Sequence, residues 1–108
     1  MTKSPTLTQL LQDIGFSEKE AGVYLSLLEL NEAPPSAIAR HSNTKRATAY
    51  LALEQLQKKG LASHIKRDGN LFYRAASPEH FLHKQHHKFD ELQNTISNLE
   101  TALPELQS

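Results

Sequence analysis

The 108-residue sequence contains no cysteine, which removes disulfide frameworks, cysteine-type zinc sites and thiol catalysis from consideration. It has no apolar run approaching the ~18–20 residues that a membrane-spanning helix needs. Its N-terminal stretch, MTKSPTLTQ, lacks the apolar core of a signal peptide. The expectation is a soluble, cytoplasmic protein without membrane contact. Catalytic signatures are missing as well. Serine, histidine and aspartate are present, but no nucleophile elbow, glycine-rich phosphate loop or defensible pair of carboxylates goes with them. No enzyme, cofactor or small-molecule effector is expected.

Formal net charge is also lacking, at zero, which argues at first sight against nucleic acid. The distribution argues the other way. Residues 36–76 carry Arg40, Lys45, Arg46, Lys58, Lys59, Lys66, Arg67 and Arg74 against Glu54 and Asp68, a net +6. The segments before and after each sum to −3. A segregated basic block is the footprint that phosphate binding needs.

Inside that block lies SAIARHSNTKRATAYLALEQLQKKG, residues 36–60. Ile38 and Ala39 form the apolar edge of a short helix, and Ser42-Asn43-Thr44 is a polar turn. Ala49, Leu53 and Leu56 then recur at helical spacing with Ala52 beside them. Two helices joined by so short a turn form a helix-turn-helix, whose second helix can enter the DNA major groove. Its outward face carries Lys45, Arg46, Ala47, Thr48 and Leu51. The same pattern occurs in helical hairpins that never meet DNA.

Upstream, Leu7, Leu10, Leu11 and Ile14 follow helical spacing up to Gly15. Ser17 and Glu20 have the spacing of a capping box, opening a helix whose stripe is Ala21, Tyr24, Leu27 and Leu28 and which fades at Leu30-Asn31. Tyr24 is read as core. Ala33-Pro34-Pro35 reads as an extended connector, with Pro35 suited to the first turn of the next helix. Lys59-Gly60 is a helix stop. ASHIKR and NLFYRA follow, separated by Asp68-Gly69, a strong hairpin signal. So short a hairpin should lean on the helices through Leu71 and Tyr73. Helix, helix-turn-helix, then hairpin is the order of a winged helix-turn-helix.

Three blocks in this order, LLQDIGFSEKEAGVYLSLLEL, IARHSNTKRATAYLALEQLQKKGLA and FYRAASPE, resemble the N-terminal domain of TrmB-like transcriptional regulators over about residues 7–80. The resemblance implies a DNA-binding transcription regulator, often dimeric. Four positions depart from the family pattern. Asn43 replaces a usual glycine, Thr44 a hydrophobic residue, Lys45 the N-cap serine, and Leu51 a commonly polar residue. Lysine has no oxygen to cap with, so Asn43 or Thr44 is expected to cap the second helix one residue early. Many family members continue into a large sugar-binding domain, for which these residues leave no room.

After Ser77-Pro78, the series Leu82, Gln85, Phe89, Leu92, Ile96, Leu99, Leu103, Leu106 advances in alternating steps of three and four, a heptad seam broken only by Gln85. Pro104 should kink or end this helix. Such a seam must be buried, and pairing with a second copy is the expectation over folding back. The flanking residues leave parallel and antiparallel pairing open. His80, His83, His86 and His87 crowd the same helix. His83 and His87, with Asp90 next along, have metal-ligand spacing or could form a pH-sensitive patch. An ordinary solvated face is the plainer reading, because no second ligand cluster is visible. His41 and His64 stand isolated.

The reading is therefore mostly α with a small β-hairpin: a winged helix-turn-helix at 1–76 and a C-terminal dimerisation helix at 77–108. Duplex DNA would meet Lys45, Arg46, Thr48 and Leu51 in the major groove and Lys66 and Arg67 on the wing, with Tyr50 touching a phosphate or simply packing. Leu82, Phe89, Leu92, Ile96, Leu99 and Leu103 would join a homodimer on an inverted-repeat operator. The competing class is a winged-helix adaptor that binds proteins and not DNA.

Overall fold

In the computed structural model, which describes residues 6–107, Thr6 and Ser17 start the first two helices by the same device. Residues 1–5, part of the stretch read above for a signal peptide, lie outside the described residues, as does Ser108. For α1 (Leu7–Asp13), the Gln9 N–H donates to Thr6 Oγ1 and the Thr6 N–H to Gln9 Oε1, both at 3.1 Å. For α2 (Glu18–Leu30), the Glu20 N–H donates to Ser17 Oγ at 3.1 Å and the Ser17 N–H to Glu20 Oε1 at 2.8 Å. Each box satisfies two donors at a helix start. The Ser17 box is the one read from the sequence; Thr6 and Gln9 have the same spacing and went unread.

The chain divides into two compact units, one ending at Pro78 and the other beginning at Glu79. In the first, α2 buries Ala21, Val23, Tyr24, Ser26 and Leu27. Leu28, placed in the stripe above, is 40% exposed. Around the helix Leu28 falls between Tyr24 and Ala21, but it lies about two turns beyond Ala21, toward the C-terminal end of α2. α1 buries nothing completely, and Leu7 and Leu10 are exposed. Asn31 ends α2 at φ 65, a left-handed value that asparagine tolerates better than most residues. Two strand residues follow, β1 (Glu32–Ala33), and then α3 (Pro35–His41) with Pro35 in its first turn. The connector read at Ala33 is thus in part a strand; two residues are too few to carry a period of two.

Next come α4 (Arg46–Lys58), β2 (Ala62–Arg67) and β3 (Asn70–Ala75). α4 buries Ala49, Ala52, Leu53 and Leu56, the face read from the sequence. It ends on Gly60 at φ 78, where the Leu61 N–H donates to the Leu56 carbonyl at 2.8 Å. This 6→1 bond is that of a Schellman stop. Both strands match the runs read as a hairpin, and Asp68 (φ 53) and Gly69 (φ 79) join them. Positive φ at both central residues is what a type I′ turn requires. β3 pairs antiparallel with β2 on one side and with β1 on the other. The core gathers Leu27, Ile38, Leu53, Leu56 and Leu61, all fully buried, with Tyr24 and Tyr73. The Tyr24 hydroxyl donates to the Ala76 carbonyl at 3.2 Å, and burial pushes its pKa up. It is a satisfied core residue.

The second unit is α5 (Glu79–Gln107), 29 residues or about 43 Å long at ~1.5 Å per residue. It runs through Pro104 to Gln107 and does not end at the proline. The donor lost there is the one that would have bonded the Glu100 carbonyl. Leu82, Phe89, Leu92, Ile96, Leu99 and Leu103 are each 44–58% exposed, an uncovered apolar seam. Among the described residues no helix is long and apolar enough to cross a membrane.

Candidate nucleic-acid interface

The turn between α3 and α4 is tied at each residue. The Ser42 hydroxyl donates to the Ile38 carbonyl at 2.8 Å and lies 2.9 Å from Thr44 Oγ1. Because Ser42 has one proton and spends it on Ile38, Thr44 donates to Ser42. Asn43 takes φ 53, so the turn keeps its left-handed residue without glycine. The expectation that Asn43 or Thr44 caps α4 is not met. Lys45 holds the N-cap position with extended backbone, φ −69 and ψ 149, and no side-chain bond. Left-handed Asn43 has the wrong backbone for a cap, and the Thr44 hydroxyl is committed to Ser42. The first N–H groups of α4 are therefore uncapped by any side chain. They carry the positive end of the helix dipole, which favours an anion.

Lys45, Arg46 and Ala47 are exposed around that first turn, and Arg40 is exposed across the turn on α3. Arg46 and Arg40 border one groove together with Ser36 and Asn43. Arg46 also borders a second cleft with Tyr50, walled by Pro34, Pro35, Leu71 and Phe72. Its guanidinium carbon lies 5.9 Å from the Tyr50 ring centroid, near the outer limit of a cation–π contact. Tyr50 is half-buried, so it steadies Arg46 while keeping an accessible edge. Thr48 and Leu51 look the other way, onto a groove shared with Ser17 and Lys19 at the start of α2. Leu51 is 64% exposed. One face of α4 thus divides into a cationic side toward the hairpin and an apolar side toward α2.

The strand register separates the two wing cations. Lys66 pairs with Leu71 two places from the His64–Tyr73 pair, and residues two apart share a sheet face. Lys66 therefore lies on the face of buried Tyr73, and it is exposed. Arg67 lies on the opposite face with Arg74 and Glu32. Its Nη2 donates to Glu32 Oε1 at 2.9 Å, and Arg74 Nη2 stands 3.6 Å from Glu32 Oε2. Arg67 also sits over the Phe72 ring at 5.5 Å.

A third cation of the block has an internal partner. Lys59 Nζ is 2.9 Å from Glu20 Oε2 and 4.9 Å from the Phe16 ring centroid. Burial pushes the Glu20 carboxyl up, but bonds from the Ser17 backbone, Lys59 and the Ser17 hydroxyl, with the Lys59 charge, outweigh it and hold the pKa below the ordinary glutamate value. Glu20 and Glu32, both outside the basic block in sequence, thus engage Lys59, Arg67 and Arg74. Among the described residues no carboxylate pairs with Arg40, Lys45, Arg46, Lys58 or Lys66. Four of these five surround the α3–α4 turn and the wing; Lys58 is at the far end of α4.

The histidines read as isolated have partners. His41 Nδ1 lies 2.9 Å from Ser26 Oγ and its Nε2 lies 3.0 Å from Glu29 Oε2. The serine–histidine–glutamate order invites a catalytic reading, but Ser26 is 5% exposed and no substrate could reach its hydroxyl. The relay ties α3 to α2 and so fixes the helix-turn-helix. His64 Nδ1 accepts from Gln57 Nε2 at 2.6 Å, bracing β2 against α4. On α5, His87 Nε2 is 3.0 Å from Glu91 Oε1, so Glu91 and not Asp90 is its neighbour. Among the described residues no three histidine or carboxylate groups gather as a metal-ligand set.

A family model described as sugar-specific transcriptional regulator TrmB matches residues 11–79. Among solved structures, the chain is similar to TrmBL2, an archaeal chromatin protein whose structure shows a novel mode of DNA binding. Identity is 26% and the TM-score 0.74, over 93% of this chain and 39% of TrmBL2; the chain thus spans well under half of that protein. A possible transcriptional regulator from Methanosarcina mazei is 16% identical with a TM-score of 0.61, over 92% of this chain and 86% of that one. A MarR-family regulator from Silicibacter pomeroyi is also 16% identical, with a TM-score of 0.60 over 92% and 78% of the two chains. The last two likenesses bear on fold alone, a winged helix. No curated protein matches the chain.

Proposed function

We propose that this chain, which belongs to the TrmB family, is a sequence-specific DNA-binding transcription regulator that works as a homodimer. It is not an enzyme, and it acts in the cytoplasm, where duplex DNA is accessible. α4 lies in the major groove with Lys45 and Arg46 at its leading end. Thr48 and Leu51 follow along the groove floor, Leu51 suited to a thymine methyl group. Arg40 and the uncapped first turn of α4 hold the flanking phosphates, Lys66 meets the backbone from the wing, and Tyr50 orients Arg46. Arg67 reaches a phosphate only by giving up Glu32.

The observation that carries this reading is the group of Arg40, Lys45 and Arg46 around the exposed start of α4, with Lys66 on the wing, and no carboxylate paired to any of them among the described residues. Unpaired positive charge beside an uncapped helix start matches a phosphate backbone. The exposed seam of α5 supports a dimer, because leaving seven large apolar side chains, Leu82 to Leu106, in water is costly. Two such protomers would suit an inverted repeat with half-sites about 34–36 Å apart or a multiple of that.

Fluorescence anisotropy of a labelled duplex across a salt series tests the reading. About four phosphates neutralised by this whole surface give log K against log[salt] a slope of roughly −3.6 per protomer. Absence of duplex binding at low salt would turn the assignment to the protein-binding adaptor.

A further inference from the structure

We infer that two copies of α5 pair antiparallel, about a two-fold axis level with Asn94. The inference rests on the proposed dimer and deepens it, since an exposed seam alone says nothing about orientation.

Past Glu79 in its first turn, the charges on α5 are sorted along its length. Residues 80–88 hold Lys84, Lys88 and four histidines and no acid, while residues 89–107 hold Asp90, Glu91, Glu100 and Glu105 and no base. In a parallel, in-register pair every acid would stand level with its own copy, and so would both lysines. The two helix dipoles would also point the same way. Turning one helix round brings the basic end of each against the acidic end of the other and opposes the dipoles.

The register follows from the seam. An antiparallel seam stacks the first apolar position of one heptad on the fourth of the other. Centred on Asn94, it pairs Phe89 with Leu99 and Leu92 with Ile96 of the second copy, while Gln85 meets Leu103 toward the end of the overlap. Glu100 then stands level with Lys88 of the second copy and on the same side of the seam as its His86. Glu105 stands level with His83. Sliding by one heptad in one direction leaves Leu103 and Leu106 without a seam partner on the second copy; sliding the other way leaves Leu82 and Gln85 without one. Only the central register matches the whole seam from Leu82 to Leu106.

The absence of native cysteine makes a direct test simple. Asn94→Cys and Gln107→Cys are each spin-labelled in the full chain, and inter-chain distances are read by pulsed electron resonance. Asn94 lies on the outer side of each helix, so its labels stand about 20 Å or more apart across the pair in either orientation and report the dimer itself. Gln107 labels lie about 39 Å apart along the axis in the antiparallel pair, at ~1.5 Å per residue, and only about 10 Å apart in a parallel one. Long Gln107 distances support the inference. A Gln107 distance of about 10 Å overturns the orientation, and no inter-chain distance at Asn94 overturns the dimer beneath it. Charge reversal supplies a second readout by sedimentation. Lys84→Glu with Lys88→Glu raises the dimer dissociation constant by about tenfold or more. Adding Glu100→Lys and Glu105→Lys to the same chain restores it. A dimer indifferent to the first pair of changes would contradict the antiparallel arrangement.

Discussion

Replacing Glu32 with glutamine should tighten DNA binding, although it removes two ion pairs. In the native chain one carboxylate engages Arg67 at 2.9 Å and Arg74 at 3.6 Å, on the sheet face away from Lys66. Glutamine is nearly isosteric but uncharged, so the Arg67 guanidinium is released beside the hairpin tip. One further neutralised phosphate adds about 0.9 to the salt slope, taking it from roughly −3.6 to −4.5 per protomer. At 50 mM salt the same contact is worth on the order of tenfold in affinity. The stability cost is small. Glu32 is 25% exposed but Arg67 is 54% exposed, which makes this a solvent-screened pair worth roughly 0.2–1 kcal/mol. Anisotropy across a salt series, with chemical denaturation in parallel, measures both quantities. In a Glu32→Gln/Arg67→Ala double variant the slope should return to the native value. A Glu32→Gln slope equal to wild type, or an affinity that falls, would refute the idea that Glu32 withholds Arg67 from DNA.

Arg46→Ala should weaken binding by about 1–3 kcal/mol and relax base preference, whereas Lys66→Ala should weaken all sequences equally and make the slope shallower by about 0.9; competition with unrelated duplexes separates the two. Leu92→Asp puts a charge into the seam at a cost of several kcal/mol, so sedimentation should show monomers whose circular dichroism and Tyr24 environment stay native. Glu20→Gln tests the Lys59 pair through pH. The Glu20 carboxyl lies below its ordinary value in the folded chain, so its stabilisation is present above the unfolded glutamate value, about pH 4.3, and is lost as pH falls through the lowered value. The stability gap between wild type and Glu20→Gln should therefore be largest near neutrality and close in acid; a gap independent of pH would count against the pair.

Where a local signal decides the structure, the sequence was enough. Asp68-Gly69 between two β-rich runs, the Ser17–Glu20 capping box, and the Ala49–Leu53–Leu56 face of α4 each depend on residues a few places apart. Where the decision is made by residues far apart in sequence, it was not. Glu20 bonds Lys59 across 39 positions and Glu32 bonds Arg67 across 35, and only the fold brings them together. Counting charges by segment therefore overstated the positive charge free for DNA, because those two acids lie outside the window that held their partners. β1 escaped notice because its pairing comes from β3 and not from any pattern in two residues. The cap of α4 was misread for a related reason: side-chain chemistry favoured Asn43 or Thr44, but the left-handed turn and the Ser42–Thr44 bond had already used both.

The central claim is that α4 reads base sequence. Selection of binding sites from a random duplex pool tests it most directly, run side by side with the wild-type chain and Arg46→Ala. The account predicts that wild type enriches an inverted repeat with half-sites about one helical turn, ~34–36 Å, or a multiple apart, and that Arg46→Ala retains duplex but enriches no motif. A wild-type pool that emerges without any enriched sequence would contradict it.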